Sequence, residues 1–355
     1  MANYKELDEA LSLVESLATT EQIQNLLRTR KGHKDVRIGA ENKSEVVYRN
    51  LREAVDKSAI DIEAVFDLIR DSEENGNQHI FYYKPKSRAI ADALAFESIA
   101  PRLFGSGWEK KLEENFPAIK LRTNDFKISD FRRLQKKPKD WIFKIYGDTT
   151  VEKSTGKEKA EGTNQLWRLY EFEQLRIVLM ARWNSPDLLE IRVQRNDSRR
   201  RVEGWHDTVW EMLKPHVVRG QFEPWEMSRT MKNLIDKESA NEKVYDFRDA
   251  RLIDKKRVHV TFQAESDTGN LFGSDETRES LHTLLDAKSE CDGLTVTWKP
   301  QSNQIPKKDL RTFLGVRQTQ EMRKSVMQSN EMIVQAHCRD EDLDYVTGKL
   351  RQFNK

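Results

Sequence analysis

The sequence predicts an α+β protein with a helical N-terminal head, a central antiparallel sheet with helices, and a C-terminal ferredoxin-like α/β sandwich. Three observations carry this. Apolar residues recur at spacings of three and four through residues 3–104, then alternate at a period of two through 118–195. Beyond residue 257, strand-like and helix-like segments follow in the order β-α-β-β-α, the pattern of a split βαβ unit. A chain of 355 residues has room for two or three domains, and these changes of period place them at 1–105, 106–240 and 241–355.

Taken in order, Leu7, Leu11, Leu13, Val14 and Leu17 form the first helical stripe. Ile23, Leu26 and Leu27 form a second, and Val46, Val47, Leu51 and Val55 a third. Ile60, Ile62, Val65, Phe66 and Ile69 form the next, ended by Asn75 and Gly76 as a helix stop. Residues 78–84 are short, aromatic and β-prone, or they begin a further helix, and 88–104 read as an Ala-rich helix. Strands are expected at 140–146, 164–172, 175–183 and 188–194, with a turn at Asn184, Ser185, Pro186 and Asp187. Short connections between them imply an antiparallel meander. The polar stretch 152–162 has no period and reads as a hairpin loop. Helices are expected at 202–213, 226–237, 275–289 and 340–352, and strands at 257–264, 293–299 and 331–338, with 300–328 as an excursion.

Composition bounds the function. Hydrophobic residues make up 37% and charged ones 34%, and eight Trp, fifteen Phe and eight Tyr need a packed interior, so the chain is not disordered. A net charge of +2 does not by itself mark a nucleic-acid binder, so the distribution of charge matters more. Basic residues cluster at Arg132, Arg133, Lys136, Lys137 and Lys139, at Arg195 with Arg199, Arg200 and Arg201, and at Arg251 with Lys255, Lys256 and Arg257. Cys291 and Cys338 form no CxxC pair, which argues against a disulfide framework or a cysteine zinc site. The first residues lack a signal-peptide core, and apolar runs such as 177–181 fall far short of the ~20 residues that span a bilayer. We therefore expect a cytoplasmic protein, or a nuclear one in a eukaryote, with no membrane partner.

The segment 20–55 carries the functional expectation. Two amphipathic helices flank a basic, extended connector holding Lys31, His33, Lys34 and Arg37, followed by Gly39. Lys43 opens the second helix, and Arg49 and Arg52 turn outward from its apolar stripe. A helix N-terminus and a few cations on such a frame can hold phosphate. In Leu26-Leu27, Gly39, Lys43, Val46-Val47 and Leu51 the head resembles the SAP-type fold. From Lys43 through Asp61–Ile69 to the aromatic residues 79–83 it also resembles the helical head of the kinetochore family CENP-N. Both resemblances imply DNA binding, with Lys31, Lys34, Arg37, Lys43, Arg49 and Arg52 as phosphate contacts. Arg199, Arg200 and Arg201 form a second candidate patch beside nearby aromatics that could stack a base.

Catalytic patterns are thin. Asp187 with Glu190 and Arg192, and Asp35 with Glu41 and Lys43, have the flavour of a PD-(D/E)xK nuclease, whose carboxylates hold Mg²⁺. In the first, Arg stands for Lys and the spacing is tight; in the second, the residues sit where helix caps belong. The seven histidines lack zinc-type spacing, and neither GxSxG nor a Walker spacing occurs. Trp141, Trp167, Trp183, Trp205 and Trp210 lie at core spacing and read as packing residues. We expect a non-catalytic nucleic-acid-binding protein, for DNA first, without cofactor or metal, acting with protein partners in a larger assembly. A protein-interaction adaptor and a divergent metal-dependent nuclease are the alternatives.

Overall fold

The computed structural model describes residues 4–38, 44–115, 125–161, 165–194, 199–254, 256, 258–264, 269–303, 305–315 and 330–355. Four helices open the chain: α1 (Tyr4–Leu17), α2 (Thr20–Thr29), α3 (Ser44–Asp56) and α4 (Ile62–Glu74). Strand β1 (Gln78–Pro85) follows, then α5 (Arg88–Ala93), α6 (Phe96–Phe104) and α7 (Trp108–Asn115). Next come β2 (Lys127–Leu134), β3 (Lys137–Glu161), β4 (Gln165–Asn184), β5 (Leu188–Gln194), α8 (Arg199–Leu213), β6 (Phe222–Pro224) and α9 (Ser228–Asp236). The last third holds β7 (Tyr245–Ile253), β8 (His259–Gln263), α10 (Asp275–Asp286), β9 (Glu290–Trp298), β10 (Leu310–Gly315), β11 (Glu331–Val334) and α11 (Asp340–Phe353). The fold is α+β with a helical N-terminal region and antiparallel strand pairing.

Two compact units divide these elements without following chain order: residues 1–69 with 100–181, and 70–99 with 182–355. In the first, α1 to α4 close over one apolar core. Leu11 and Val14 of α1, Ile23 and Leu27 of α2, Val47 and Leu51 of α3, and Val65 and Ile69 of α4 are all buried there. These are the stripes expected from the 3.6-residue period. The rest of the unit is built on the β2–β3–β4 ribbon. Phe131 of β2 packs among Phe104, Trp141 and Phe143 at centroid distances of 5.2, 5.7 and 6.3 Å. Arg176 lies 4.6 Å over the Tyr146 ring.

The strands of this ribbon are longer than the sequence suggests. The polar stretch 152–161, expected to be a loop, is strand as far as Glu161, and the two strands expected at 164–172 and 175–183 are one continuous β4. A hydroxyl bond from Thr155 to the Leu169 carbonyl (2.9 Å) and the Arg168–Glu158 pair (2.8 Å) hold the far end of this hairpin.

In the second unit the strand order is β5-β1-β11-β10-β9-β7-β8, with β6 also paired to β1. Strand β1 is flanked on both sides, its Ile80 facing Arg192 of β5 and Met332 of β11. That explains its burial and its aromatic composition. The split unit is present: β8 and β9, joined by α10, run either side of β7. Strands β7 and β10 are additions to the sequence expectation. One face of this sheet carries Tyr245, Phe247, Leu294, Val296, Trp298 and Leu314 into a core shared with Met231 and Leu234 of α9, Leu281 of α10 and Leu343, Val346 and Leu350 of α11. Gly76 has φ +82°, and a Cβ there would lie 2.2 Å from the Ala336 carbonyl, so only glycine fits where α4 gives way to β1.

Candidate nucleic-acid interface

The head is shaped by its caps. The Thr19 hydroxyl accepts from the Gln22 N–H (3.2 Å), and the Gln22 side chain accepts from the Thr19 N–H (2.9 Å), forming a capping box at the start of α2. At its other end the chain does not extend, as expected from the sequence, but winds through successive turns. The N–H groups of Lys31, His33 and Val36 donate to the carbonyls of Arg28, Arg30 and His33, each at 3.1 Å. Gly32, at φ +101°, supplies the left-handed residue these turns need. Val36 and Ile38 then pack on the helical core, which leaves Arg37 between them facing out.

This winding gathers charge. Arg30, Lys31, Lys34 and Arg37 are exposed, with Asp35 the acidic residue among them, and Asp35 lies 3.8 Å from His33. Arg49 is exposed on α3, whose opposite side buries Val47, Asn50, Leu51, Ala54 and Val55. Among the described residues no carboxylate is within ion-pair distance of Lys31, Lys34, Arg37 or Arg49. Arg52 differs: it is held by Asp8. Burial raises the Tyr48 hydroxyl pKa, and Arg52, bonded to Tyr48, opposes that rise. Lys43 lies outside the described residues. Sequence reasoning missed Arg30, which sits 3.7 Å from Asp61, although a basic residue just past a helix C-terminus is a favoured arrangement.

Arg199, Arg200 and Arg201 fall in the other unit. They form the first turn of α8, which starts earlier than expected from the sequence, and their side chains lie outside the described residues. Arg251 of the third basic cluster is paired with Asp292 at 2.8 Å and lies 5.9 Å over Phe313. Arg248, Arg251 and Arg311 line shallow cavities on the face of β7, β9 and β10 that α9 to α11 do not cover. Asp246, Asp249 and Asp309 line the same cavities, so the surface is balanced in charge, unlike the turns that follow α2.

The Asp187/Glu190 pattern becomes something other than an open acidic site. Glu190 is wholly buried. One carboxylate oxygen accepts from Asn184 (2.9 Å), and the other from Arg192 Nε (2.9 Å) and Nη2 (2.6 Å). Burial pushes its pKa up, but Arg192 and Arg182 outweigh that and hold it at about 2. Arg182, itself buried, donates to Asp340 (2.8 Å) and Asp344 (2.7 Å) of α11, and Asp187 pairs with Arg351 at 2.9 Å. Both Glu190 oxygens are thus engaged, one by Asn184 at the end of β4 and the other by Arg192 within β5 itself, with no open position for a cation. No group of three or more His, Cys, Asp or Glu side chains suited to a metal ion occurs among the described residues.

Two further features went unread in the sequence. His206 is buried beside Tyr83, whose hydroxyl lies 2.6 Å from its Nε2, while Trp210 Nε1 donates to the same nitrogen at 3.2 Å. Burial and the neighbouring Arg219 lower its pKa to about 4, so it is neutral at pH 7. Trp167, expected to pack, is instead 58% exposed, because no described residue covers the part of β4 on which it sits. Comparison with protein-family models gives no match, and comparison with curated proteins gives none.

Proposed function

We propose that this protein binds nucleic acid, double-stranded DNA first, through the cationic turns between α2 and α3 and the adjoining face of α3. One observation carries the reading: Lys31, Lys34, Arg37 and Arg49 stand exposed on a capped, well-packed helical frame without carboxylate partners among the described residues. Cations left unpaired on a rigid surface gain by replacing the condensed counterions of a phosphate backbone. Nothing in this set reads base edges, so the contacts position the protein without selecting sequence. The expected role is that of a non-catalytic binder working beside protein partners.

The test is anisotropy of labelled duplex DNA with the full chain. Lys34→Glu, Arg37→Glu and Arg49→Glu together should weaken binding at low salt by at least about thirtyfold. Retained binding would reject the head as the site, and loss on changing Arg199–Arg201 instead would move it to α8. A second reading, a protein-interaction adaptor, is favoured by the exposed apolar residues of the β3–β4 hairpin, Trp167 and Phe172 among them.

A further inference from the structure

The far end of the β3–β4 hairpin breaks a general rule of antiparallel sheets. Strand β2 accompanies β3 only as far as Tyr146, and the seven-residue β5, which follows β4 through the turn Ser185–Asp187, is too short to reach back to Phe172. Among the described residues the ribbon beyond is two strands wide with open edges. Such edges are normally blunted by charge, proline or a covering element, and an isolated two-stranded hairpin is marginal in water. Here the outer strand does the opposite. Leu166, Trp167, Leu169, Tyr170 and Phe172 are all exposed, Phe172 at 73%. Alternation puts Leu166, Arg168, Tyr170 and Phe172 on one face and Trp167, Leu169 and Glu171 on the other. Both faces and the edge therefore lack a cover among the described residues. Lys153, Lys157, Lys159 and Arg168 are outnumbered by Glu152, Glu158, Glu161, Glu171 and Glu173 along residues 152–173, and Arg168 is already paired with Glu158, so the ribbon has no excess positive charge to draw phosphate.

We infer that the cover is a second copy of this chain, joined edge to edge through β4 with Leu169 on the two-fold axis. A two-fold axis perpendicular to an antiparallel pair sets a residue opposite its own copy. With Leu169 there, Arg168 faces Tyr170, Trp167 faces Glu171, and Leu166 faces Phe172, each pair occurring twice. Leu169 meets its own copy and Leu166 meets Phe172, the guanidinium meets an aromatic ring, Trp167 faces the Glu171 carboxylate, and no like charges stand directly opposite. Centring instead on Tyr170 sets Leu169 against Glu171 and Trp167 against Glu173, which forfeits the apolar pairing. The strand is thus close to self-complementary in one register, and that register names the occupant.

The register is testable on the full chain. Light scattering after size exclusion at tens of micromolar should give twice the 41.7 kDa chain mass. Leu169→Lys should weaken the dimer at least about tenfold while leaving unchanged the urea midpoint taken at dilutions where the chain is monomeric, because the side chain is exposed in the single copy. Mild oxidation should trap Leu169→Cys as a covalent dimer. Trp167→Cys should stay uncrosslinked, because its copy would lie four residues away along the strand, about 13 Å against the roughly 7 Å a disulfide tolerates. A monomer at every concentration, a dimer indifferent to Leu169→Lys, or equal crosslinking at both positions would overturn the inference. A monomer that floats with phosphatidylcholine vesicles would also overturn it and give the ribbon a bilayer as its cover. None of these outcomes depends on whether the head binds DNA.

Discussion

The head and the β5–α11 region use the same kinds of side chain to opposite ends. In the head, Lys31, Lys34, Arg37 and Arg49 stay in water, where a charge costs nothing to keep and contributes little to stability. Around β5, Arg182, Glu190 and Arg192 are removed from water, Glu190 and Arg192 held by each other and Arg182 by Asp340 and Asp344. The lesson concerns substitution. A cation in the first region can be reversed with little harm to the fold, whereas a buried charge in the second cannot lose its partner without stranding another. Function, where it depends on attraction to a distant polyanion, has to come from the first kind.

The sharpest way to break this contrast is Glu190→Gln. It removes the negative charge beside Arg192 and Arg182 and should cost on the order of 3–5 kcal/mol in urea unfolding. DNA affinity measured on the remaining folded protein should not change. A loss under 1 kcal/mol would mean that the buried charges are not interdependent.

Acidity separates the two regions next. Unfolded His206 binds a proton below about pH 6.5, the folded form only below about 4. Between those values the unfolded chain holds more protons, so stability is complete above pH 6.5 and falls as pH drops toward 4, by up to roughly 3 kcal/mol. Glu190, with its pKa lowered to about 2, adds a further loss from about 4.5 downward, since its stabilising charge is present only above that range. Unfolding midpoints collected from pH 7 to 4 should slope for the native chain and flatten for His206→Gln. An unchanged slope in the variant would remove His206 from the account.

The smaller effects lie in the head. The reversal of Lys34, Arg37 and Arg49 should weaken DNA binding by at least about thirtyfold at low salt and move the unfolding free energy by less than about 0.5 kcal/mol. Arg52→Ala, which loses the exposed pair with Asp8, should cost under about 1 kcal/mol and change DNA affinity less than Arg49→Ala does. Equal losses in affinity would show that Asp8 does not withhold Arg52.

How much of this was written locally follows from what each element packs against. The head helices were legible because each buries one stripe, which leaves a 3.6-residue period. The far end of the hairpin was not, because a ribbon exposed on both faces has no buried side to impress a period of two on residues 152–161. Strand β7 was hidden by the bulge between Phe247 and Asp249, which shifts the phase of its alternation partway along. The division into units was hidden too: residues 70–99 join 182–355 through β1, whose partners are far away in sequence. In the candidate site, the exposure of Arg49 was legible from helix phase and that of Lys31, Lys34 and Arg37 from the polar composition of the connector, although its winding into turns was not. That Asp8 would occupy Arg52, 44 positions away, was not, and neither were the partners of Glu190 and Arg182.

The most direct test of the central claim is the salt dependence of duplex binding by the full chain. Four phosphate contacts from Lys31, Lys34, Arg37 and Arg49 predict a log–log slope near about −3.6, reduced by about 1 for each of them changed to Ala. A slope near zero, or one that the four substitutions leave alone, would contradict it.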